Sequence, residues 1–165
     1  MTTPPPILYH PIGVLHTPFN EPAGMPIQPS GARGVCGTAE LYPEFVAGLR
    51  DLAGFSHIIL LYHFHRAPAP RLSVTPFLDT EARGIFATRA PARPNPIGLS
   101  IVRLLRCEGA TLYLENLDML DGTPLLDIKP YVSAFDSFVA ERTGWLEAAE
   151  GRVAQIRADE RFGES

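Results

Sequence analysis

Proline is the residue that most constrains how this chain can fold. It occurs 17 times in 165 residues, and 14 glycines are scattered among the prolines. A proline fixes its own φ angle and lacks the backbone N–H that the interior of a helix or a sheet needs. We therefore predict short elements joined by many shaped turns, rather than long helices.

Between these interruptions, seven segments carry the apolar patterns of short β-strands. The run at residues 55–65 is continuous enough for a strand buried on both faces. An Asp-Gly turn at residues 121–124 precedes the last of the seven. The segments are ILYHPIGVLHTPF, GVCGTAELY, FSHIILLYHFH, RGIFAT, IGLSIVRLLR, ATLYLENLDML and LLDIKPYV.

Two other segments fit helices. Residues 42–54 have a proline near their start and end on a glycine, and residues 142–162 place apolar side chains at helical spacing. Because strands do not alternate with helices, a doubly wound parallel sheet is disfavoured. We predict a mainly β fold, an antiparallel barrel with one or two covering helices. Residues 1–140 would form the barrel, and residues 141–165 a helix and tail of the same domain.

Length and composition indicate a soluble globular protein. A chain of 165 residues fits one domain, and its 45% apolar and 19% charged fractions are ordinary. A net charge of −4 argues against strong non-specific binding to nucleic acid. No apolar run is long enough for a membrane span and no leader pattern is present, so we expect a cytoplasmic protein. Cys36 and Cys107 are expected to be reduced thiols.

The segment ATRAPARPNPIGLS, residues 87–100, is unusually rigid and cationic. Its prolines favour extended or turn conformations and hold Arg89 and Arg93 in fixed directions. A guanidinium offers a planar fork of donors, which suits a carboxylate or a phosphate. The same composition is equally consistent with a rigid loop between strands whose arginines are solvated.

A second motif, LDMLDGTPLLDIKPY, gathers three carboxylates around a tight turn. Asp118, Asp121 and Asp127 are available to a cation or to ribose hydroxyls, and Gly122 lets a ligand approach the backbone. The alternative is that Asp121 does no more than form an Asx-turn.

Two histidines suggest a different chemistry. His63 and His65 are two residues apart, so on a strand they would share one face and could ligate a metal. No third ligand follows at a fixed spacing, and core packing of His63 with a pocket role for His65 is the simpler interpretation. Motifs for dinucleotides, nucleoside triphosphates and serine hydrolysis are missing from the sequence.

Taken together, FSHIILLYHFHRA, GIFATRAPARPNPIGLS and LDMLDGTPLLDIKPY resemble the TsaA/TrmO-like proteins over roughly residues 12–131. Full-length members of that family are S-adenosylmethionine-dependent tRNA methyltransferases that act on N6 of threonylcarbamoyladenosine next to the anticodon. The resemblance implies an antiparallel β-barrel that works as a homodimer. It also implies S-adenosylmethionine as the cofactor and tRNA as the substrate.

The resemblance further implies where the cofactor binds. The cofactor would lie among the long loop after the first strand, the histidine end of the buried strand, the arginine loop and the Asp-Gly turn. An arginine fork suits its carboxylate, oxygen atoms suit its sulfonium, and an apolar slot suits its adenine. The cofactor-binding candidates are Pro26, Ile27, Gln28, His65, Arg66, Arg89, Leu99, Asp121, Gly122, Thr123 and Pro124.

For the reaction itself, we expect a nitrogen to attack the cofactor methyl in line, with a nearby base to accept its proton. The catalytic candidates are Asp118, Asp121 and His65, and the substrate-binding candidates are Arg93, Asn95 and Lys129.

The chain departs from its longer relatives at two points. They carry a C-terminal extension, which we expect to help hold tRNA, and they have a glutamine where Arg66 stands. Two alternative functions stay open, a small-barrel metalloenzyme that uses His63 and His65, and a non-catalytic module that binds S-adenosylmethionine.

Overall fold

The structure, a computed structural model, describes residues 4–27, 29–149 and 157–159 and contains a closed antiparallel β-barrel. The strands in chain order are β1 (Gly13–His16), β2 (Cys36–Leu41), β3 (His57–His63), β4 (Ser73–Val74), β5 (Arg83–Gly84), β6 (Ile97–Glu108), β7 (Thr111–Glu115) and β8 (Thr123–Pro130). Six of them close the barrel in the order β1–β2–β7–β6–β3–β8, while β4 and β5 form a separate pair. The predicted mainly β barrel is confirmed.

Side chains alternate between the inside and the outside of the barrel, as the period of two requires. In β6, for example, Ser100 and Val102 are buried, whereas Leu99 and Ile101 face outwards. The interior is packed with aliphatic side chains that have essentially no exposure, and a closed barrel leaves no strand edge unpaired. The fully buried members include Leu15, Ile58, Leu60, Val102, Leu112, Leu114, Leu117 and Leu125.

Two of the predicted elements differ from the structure. Residues 42–54 form two short 3-10 helices, Pro43–Leu49 and Leu52–Gly54, rather than one continuous helix. Asp51 lies between them in the left-handed region with φ 66°, which a continuous helix does not allow. The predicted strand RGIFAT is limited to Arg83–Gly84, because the chain then turns into a 3-10 helix at Ile85–Ala87.

The described part of the C-terminal tail is also less helical than its spacing predicts. It contains a 3-10 helix at Gly144–Ala149 and an isolated bridge between Arg157 and Pro26. The rest of the predicted helix, residues 150–156 and 160–162, lies outside the described residues. None of the helices in the described part of the chain is both long and apolar enough to cross a membrane.

The packing of β3 against β6 depends on Gly98. Its register partner on β3 is Tyr62, whose buried ring occupies the space that a Cβ on Gly98 would need. We expect Gly98→Ala to lower the free energy of unfolding by about 1–3 kcal/mol, since the ring would have to leave its packed position and strain its hydrogen bond to Ser100. Thermal unfolding measures this effect. Gly48→Ala is the control, because open space surrounds Gly48, and equal stability of the two variants would contradict this packing.

Candidate functional site

A cavity of about 690 Å³ opens at the end of the barrel where β3 ends and β6 begins. Its walls come from the loop after β1, the end of β3, the arginine loop before β6, the segment between β7 and β8, and the C-terminal tail. Cavities of about 300–1,000 Å³ are typical of sites for small molecules and cofactors. The barrel therefore holds loops that are distant in sequence around one ligand-sized space.

Many of the predicted site residues meet at this cavity. Gln28 lies outside the described residues. The predicted residues that line the cavity are Pro26, Ile27, His65, Arg66, Arg89, Arg93, Leu99, Asp118 and Thr123.

The Asp-Gly turn contributes less to the cavity than the sequence suggested. Of its four residues only Thr123 lines the space. The carboxylate of Asp121 instead accepts the Thr17 N–H at 3.1 Å and lies 3.3 Å from His16 Nδ1. Gly122, with φ 75°, donates its N–H to Leu15. The turn thus holds β1 in place, and Asp121 bonds across to that segment.

Two of the substrate-binding candidates also lie away from the cavity lining. Asn95 is exposed, and its carbonyl oxygen accepts the Ile97 N–H at 2.8 Å. Lys129 is paired with Asp127 at 2.7 Å, near the far end of β8.

The two arginines of the ATR segment have different positions and contacts. Arg93 Nη1 donates to the carbonyl oxygens of Thr88 at 2.8 Å and Ile85 at 3.2 Å, so it fixes the backbone of the loop. Arg89 is exposed and forms no hydrogen bond or ion pair with another described residue. Arg93 therefore acts as an internal brace, while the guanidinium of Arg89 is available on the cavity wall.

A chain of three polar side chains runs from the barrel interior to the cavity wall. Ser100 Oγ donates to Asp118 Oδ1 at 2.6 Å, so Tyr62 must donate its hydroxyl hydrogen to Ser100 Oγ across 3.0 Å. Burial raises the pKa of Asp118 to about 6, although the hydrogen bond from Ser100 and the positive charge of Arg89 both lower it. Asp118 is thus a partly buried carboxylate that is a stronger base than an ordinary aspartate.

Arg66 connects the end of β3 to the long loop after β1. It donates to the Asn20 carbonyl oxygen at 2.7 Å and to Glu21 Oε2 at 3.1 Å. Its neighbour His65 places Nδ1 3.4 Å from Thr123 Oγ1. Arg66 therefore has a structural contact as well as a place on the cavity wall.

Much of the apolar cavity wall was not predicted from the sequence. These residues come from six separate segments and share no spacing, so no pattern marks them. Only Ser100, a polar residue at an inward position of an apolar strand, offered a signal that was missed. The additional lining residues include Met25, Tyr62, Phe64, Phe77, Phe86, Met119, Leu120 and Trp145.

The geometry that a metal site would need is not found within the described residues. No three His, Cys, Asp or Glu side chains there come close enough to hold an ion. β3 ends at His63, and His65 already lies in the following turn, so the alternation expected of a strand does not extend to it. Cys36 and Cys107 are both free thiols.

The model of the tRNA-methyltransferase O N-terminal domain matches residues 14–137 of this chain. This chain belongs to the tRNA-methyltransferase O family. The match starts in β1 and ends after β8, so it covers the barrel except Gly13, together with most segments of the cavity wall. The tail beyond residue 137 lies outside it.

Individual members of the tRNA-methyltransferase O family differ in length from this chain. A probable S-adenosyl-L-methionine-binding protein of Pyrococcus abyssi is 54% identical over 98% of this chain and 88% of its own. The mouse tRNA (adenine(37)-N6)-methyltransferase is 37% identical over 79% of this chain but only 32% of its own. The crystal structure of TrmO from Pseudomonas aeruginosa is 42% identical with a TM-score of 0.71, covering 85% of this chain and 62% of that chain. This chain therefore spans less than two thirds of that TrmO.

Proposed function

We propose that this chain is an S-adenosylmethionine-dependent N-methyltransferase that acts on tRNA, at N6 of threonylcarbamoyladenosine next to the anticodon. The observation that carries the proposal is the cavity, which gathers an available arginine, a basic carboxylate and apolar walls at one end of the family's barrel. The names of relatives support it. One protein of Pseudomonas aeruginosa, 44% identical, is named a putative S-adenosylmethionine-dependent methyltransferase, and the mouse relative is named a tRNA methyltransferase.

The residues of the cavity fit the proposed cofactor. When bound, S-adenosylmethionine supplies a methyl group activated by a sulfonium charge. Arg89 offers a guanidinium fork to a carboxylate, and Asp118 offers negative charge to a cation. Phe77, Phe86 and Met119 give the apolar surface that a purine needs.

Asp118 is the group that we propose as the base. An acylated N6 is a weak nucleophile because its lone pair is delocalised, so loss of its proton favours attack on carbon. Of the three candidates, Asp121 faces β1, and His65 is exposed at the cavity edge. Asp118 lies on the cavity wall, and the hydrogen bond from Ser100 holds its carboxylate in one orientation.

Positive charge near the cavity supports an RNA substrate. The segment from residue 66 to residue 93 carries five of the 14 cationic residues of the chain and two of its 18 acidic ones. Two of the five arginines, Arg66 and Arg83, are paired with carboxylates, so the charge available to phosphates comes mainly from the other three. A local basic surface attracts phosphates even when the net charge is negative. The arginines of this segment are Arg66, Arg71, Arg83, Arg89 and Arg93.

A homodimer is also part of the proposal. An outward-facing apolar stripe on β6, formed by Ile97, Leu99, Ile101 and Leu105, is 39–52% exposed. Ile97 and Leu99 also line the cavity, so a second copy on this stripe would extend the cavity wall. The mass in solution, measured by light scattering, should be twice the 18.0 kDa of the chain, and a monomer at all concentrations would contradict a dimer.

Methyl transfer to a defined RNA tests the proposed function. An anticodon stem-loop carrying threonylcarbamoyladenosine is incubated with the protein and methyl-labelled S-adenosylmethionine, and the same stem-loop with plain adenosine is the control. Label in the first RNA alone supports the proposal. Cofactor binding without transfer to either RNA would instead favour the second candidate, a non-catalytic binding module, which agrees with the name of the Pyrococcus relative.

A further inference from the structure

The C-terminal tail forms part of the cavity although it lies beyond the family domain. Trp145 and Leu146, in the 3-10 helix Gly144–Ala149, both line the cavity. The family match ends at residue 137. This section of the wall is therefore an addition to the barrel that the family domain describes.

Trp145 is held against the arginine loop by its ring nitrogen. The indole Nε1–H donates to the Ala87 carbonyl oxygen at 2.8 Å, two residues before Arg89. The guanidinium of Arg83 lies over one face of the indole, 5.9 Å from its centre, so a ligand would stack on the other face. The edge of the ring is thus fixed, and what it can offer to a ligand is its apolar aromatic surface.

The other described piece of the tail is attached to the opposite loop. Gly24 donates its N–H to the Ala158 carbonyl oxygen at 2.7 Å, and Ala158 donates in return to Met25 at 2.8 Å. Ala158 and Asp159 also line the cavity. The tail is therefore tied to both loops that carry the proposed cofactor contacts.

We propose that Trp145 is a ligand-binding residue whose indole stacks on a purine ring in the cavity. Aromatic side chains bind nucleobases by stacking, which needs a flat apolar surface and no free polar atom. Phe86, next to Ala87 in the 3-10 helix Ile85–Ala87, adds a second ring to this wall. The inference rests on the proposed function, which brings two purines to the cavity, the adenine of the cofactor and the target base of the tRNA.

Because Trp145 is the only tryptophan, its fluorescence reports directly on this contact. The intact protein is titrated with S-adenosylhomocysteine, adenosine, L-methionine and the modified stem-loop, and calorimetry is run in parallel. We expect saturable quenching by a purine ligand and none by methionine. Quenching by S-adenosylhomocysteine assigns the ring to the cofactor adenine, and quenching by the stem-loop alone assigns it to the substrate base.

The failures of the two proposals are distinguishable. Binding heat for both S-adenosylhomocysteine and the stem-loop without any quenching would overturn stacking on Trp145 while leaving the proposed function in place. The absence of both heat and quenching would contradict the proposed function, and the role of Trp145 with it.

A pair of variants separates stacking from loop anchoring. Trp145→Phe keeps an aromatic face and Trp145→Leu keeps only apolar volume, and both lose the hydrogen bond to Ala87. For the purine ligand that quenches, we expect Trp145→Leu to raise the dissociation constant roughly 5- to 100-fold, and Trp145→Phe to raise it by less than about 5-fold. Equal weakening by both variants, with thermal unfolding unchanged, would show that Trp145 is only an anchor.

Discussion

Replacing Asp118 by asparagine is expected to abolish methyl transfer while leaving the protein folded and able to bind its cofactor. Asparagine has the same shape and still accepts the hydrogen bond from Ser100, but it cannot take a proton. Loss of a positioned base lowers a rate by about 10²- to 10⁴-fold. The measurement is kcat with the modified stem-loop, and calorimetry with S-adenosylhomocysteine, which lacks the sulfonium charge, shows that the cavity is intact.

Asp118→Asn is also expected to raise the free energy of unfolding, but only at pH values at which the wild-type carboxyl is ionised. The pKa of Asp118 rises from 3.8 in the unfolded chain to about 6 in the folded one, so the native state binds the proton more tightly. Stability is therefore lost as pH rises from about 4 to about 6, by up to roughly 3 kcal/mol at neutral pH. Asp118→Asn should raise the Tm at pH 7.5 and leave it nearly unchanged at pH 4.

The pH dependence of the wild-type rate belongs to the same prediction. An ionised Asp118 is required, so kcat/KM, which reports the ionisation of the free protein, should rise with pH through about 6 and then level off. A kcat that Asp118→Asn leaves unchanged, or a wild-type profile that is flat between pH 5 and pH 7.5, would contradict the role of Asp118 as the base.

The second large effect is expected at Arg89, where alanine should weaken the binding of S-adenosylmethionine roughly 10- to 100-fold. Arg89 reaches the cavity wall without a partner among the described residues, so its guanidinium can pair with the cofactor carboxylate. A charge-assisted, bidentate pair is strong and geometrically specific. Lysine at this position should recover only part of the affinity, because it keeps the charge but loses the fork. Calorimetry measures both dissociation constants.

Arg50→Ala is the matched control for Arg89→Ala. It removes the same charge from an exposed position that lies outside the cavity lining and outside the apolar stripe on β6. We expect its affinity for the cofactor to equal that of the wild type. Equal affinities of the two variants for S-adenosylmethionine would contradict the proposal that Arg89 binds the cofactor.

The barrel was predictable because its signals are local. The run at residues 55–65 and the segment IGLSIVRLLR each carry their own apolar pattern, and both became long strands, β3 and β6. The prediction of one helix at residues 42–54 was wrong for a reason that the spacing of apolar residues does not reveal. Asp51 takes a left-handed conformation, so the chain bends there between two 3-10 helices.

The chemistry of the site depended on register, which the sequence does not reveal. Tyr62, Ser100 and Asp118 lie on β3, on β6 and after β7, and only the pairing of Tyr62 with Gly98 brings the first two together. In the same way, the sequence alone does not distinguish the roles of Arg89 and Arg93, because both lie in one loop. The structure separates them, since Arg93 bonds to the backbone of the loop and Arg89 does not.

Calorimetric titration of the intact protein with S-adenosylmethionine tests the central claim most directly, since everything proposed here depends on that ligand filling the cavity. We expect a saturable isotherm with one cofactor per chain, and a clear loss of affinity for Arg89→Ala but not for Arg50→Ala. A titration without binding heat at several temperatures, or binding that Arg89→Ala leaves unchanged, would contradict it.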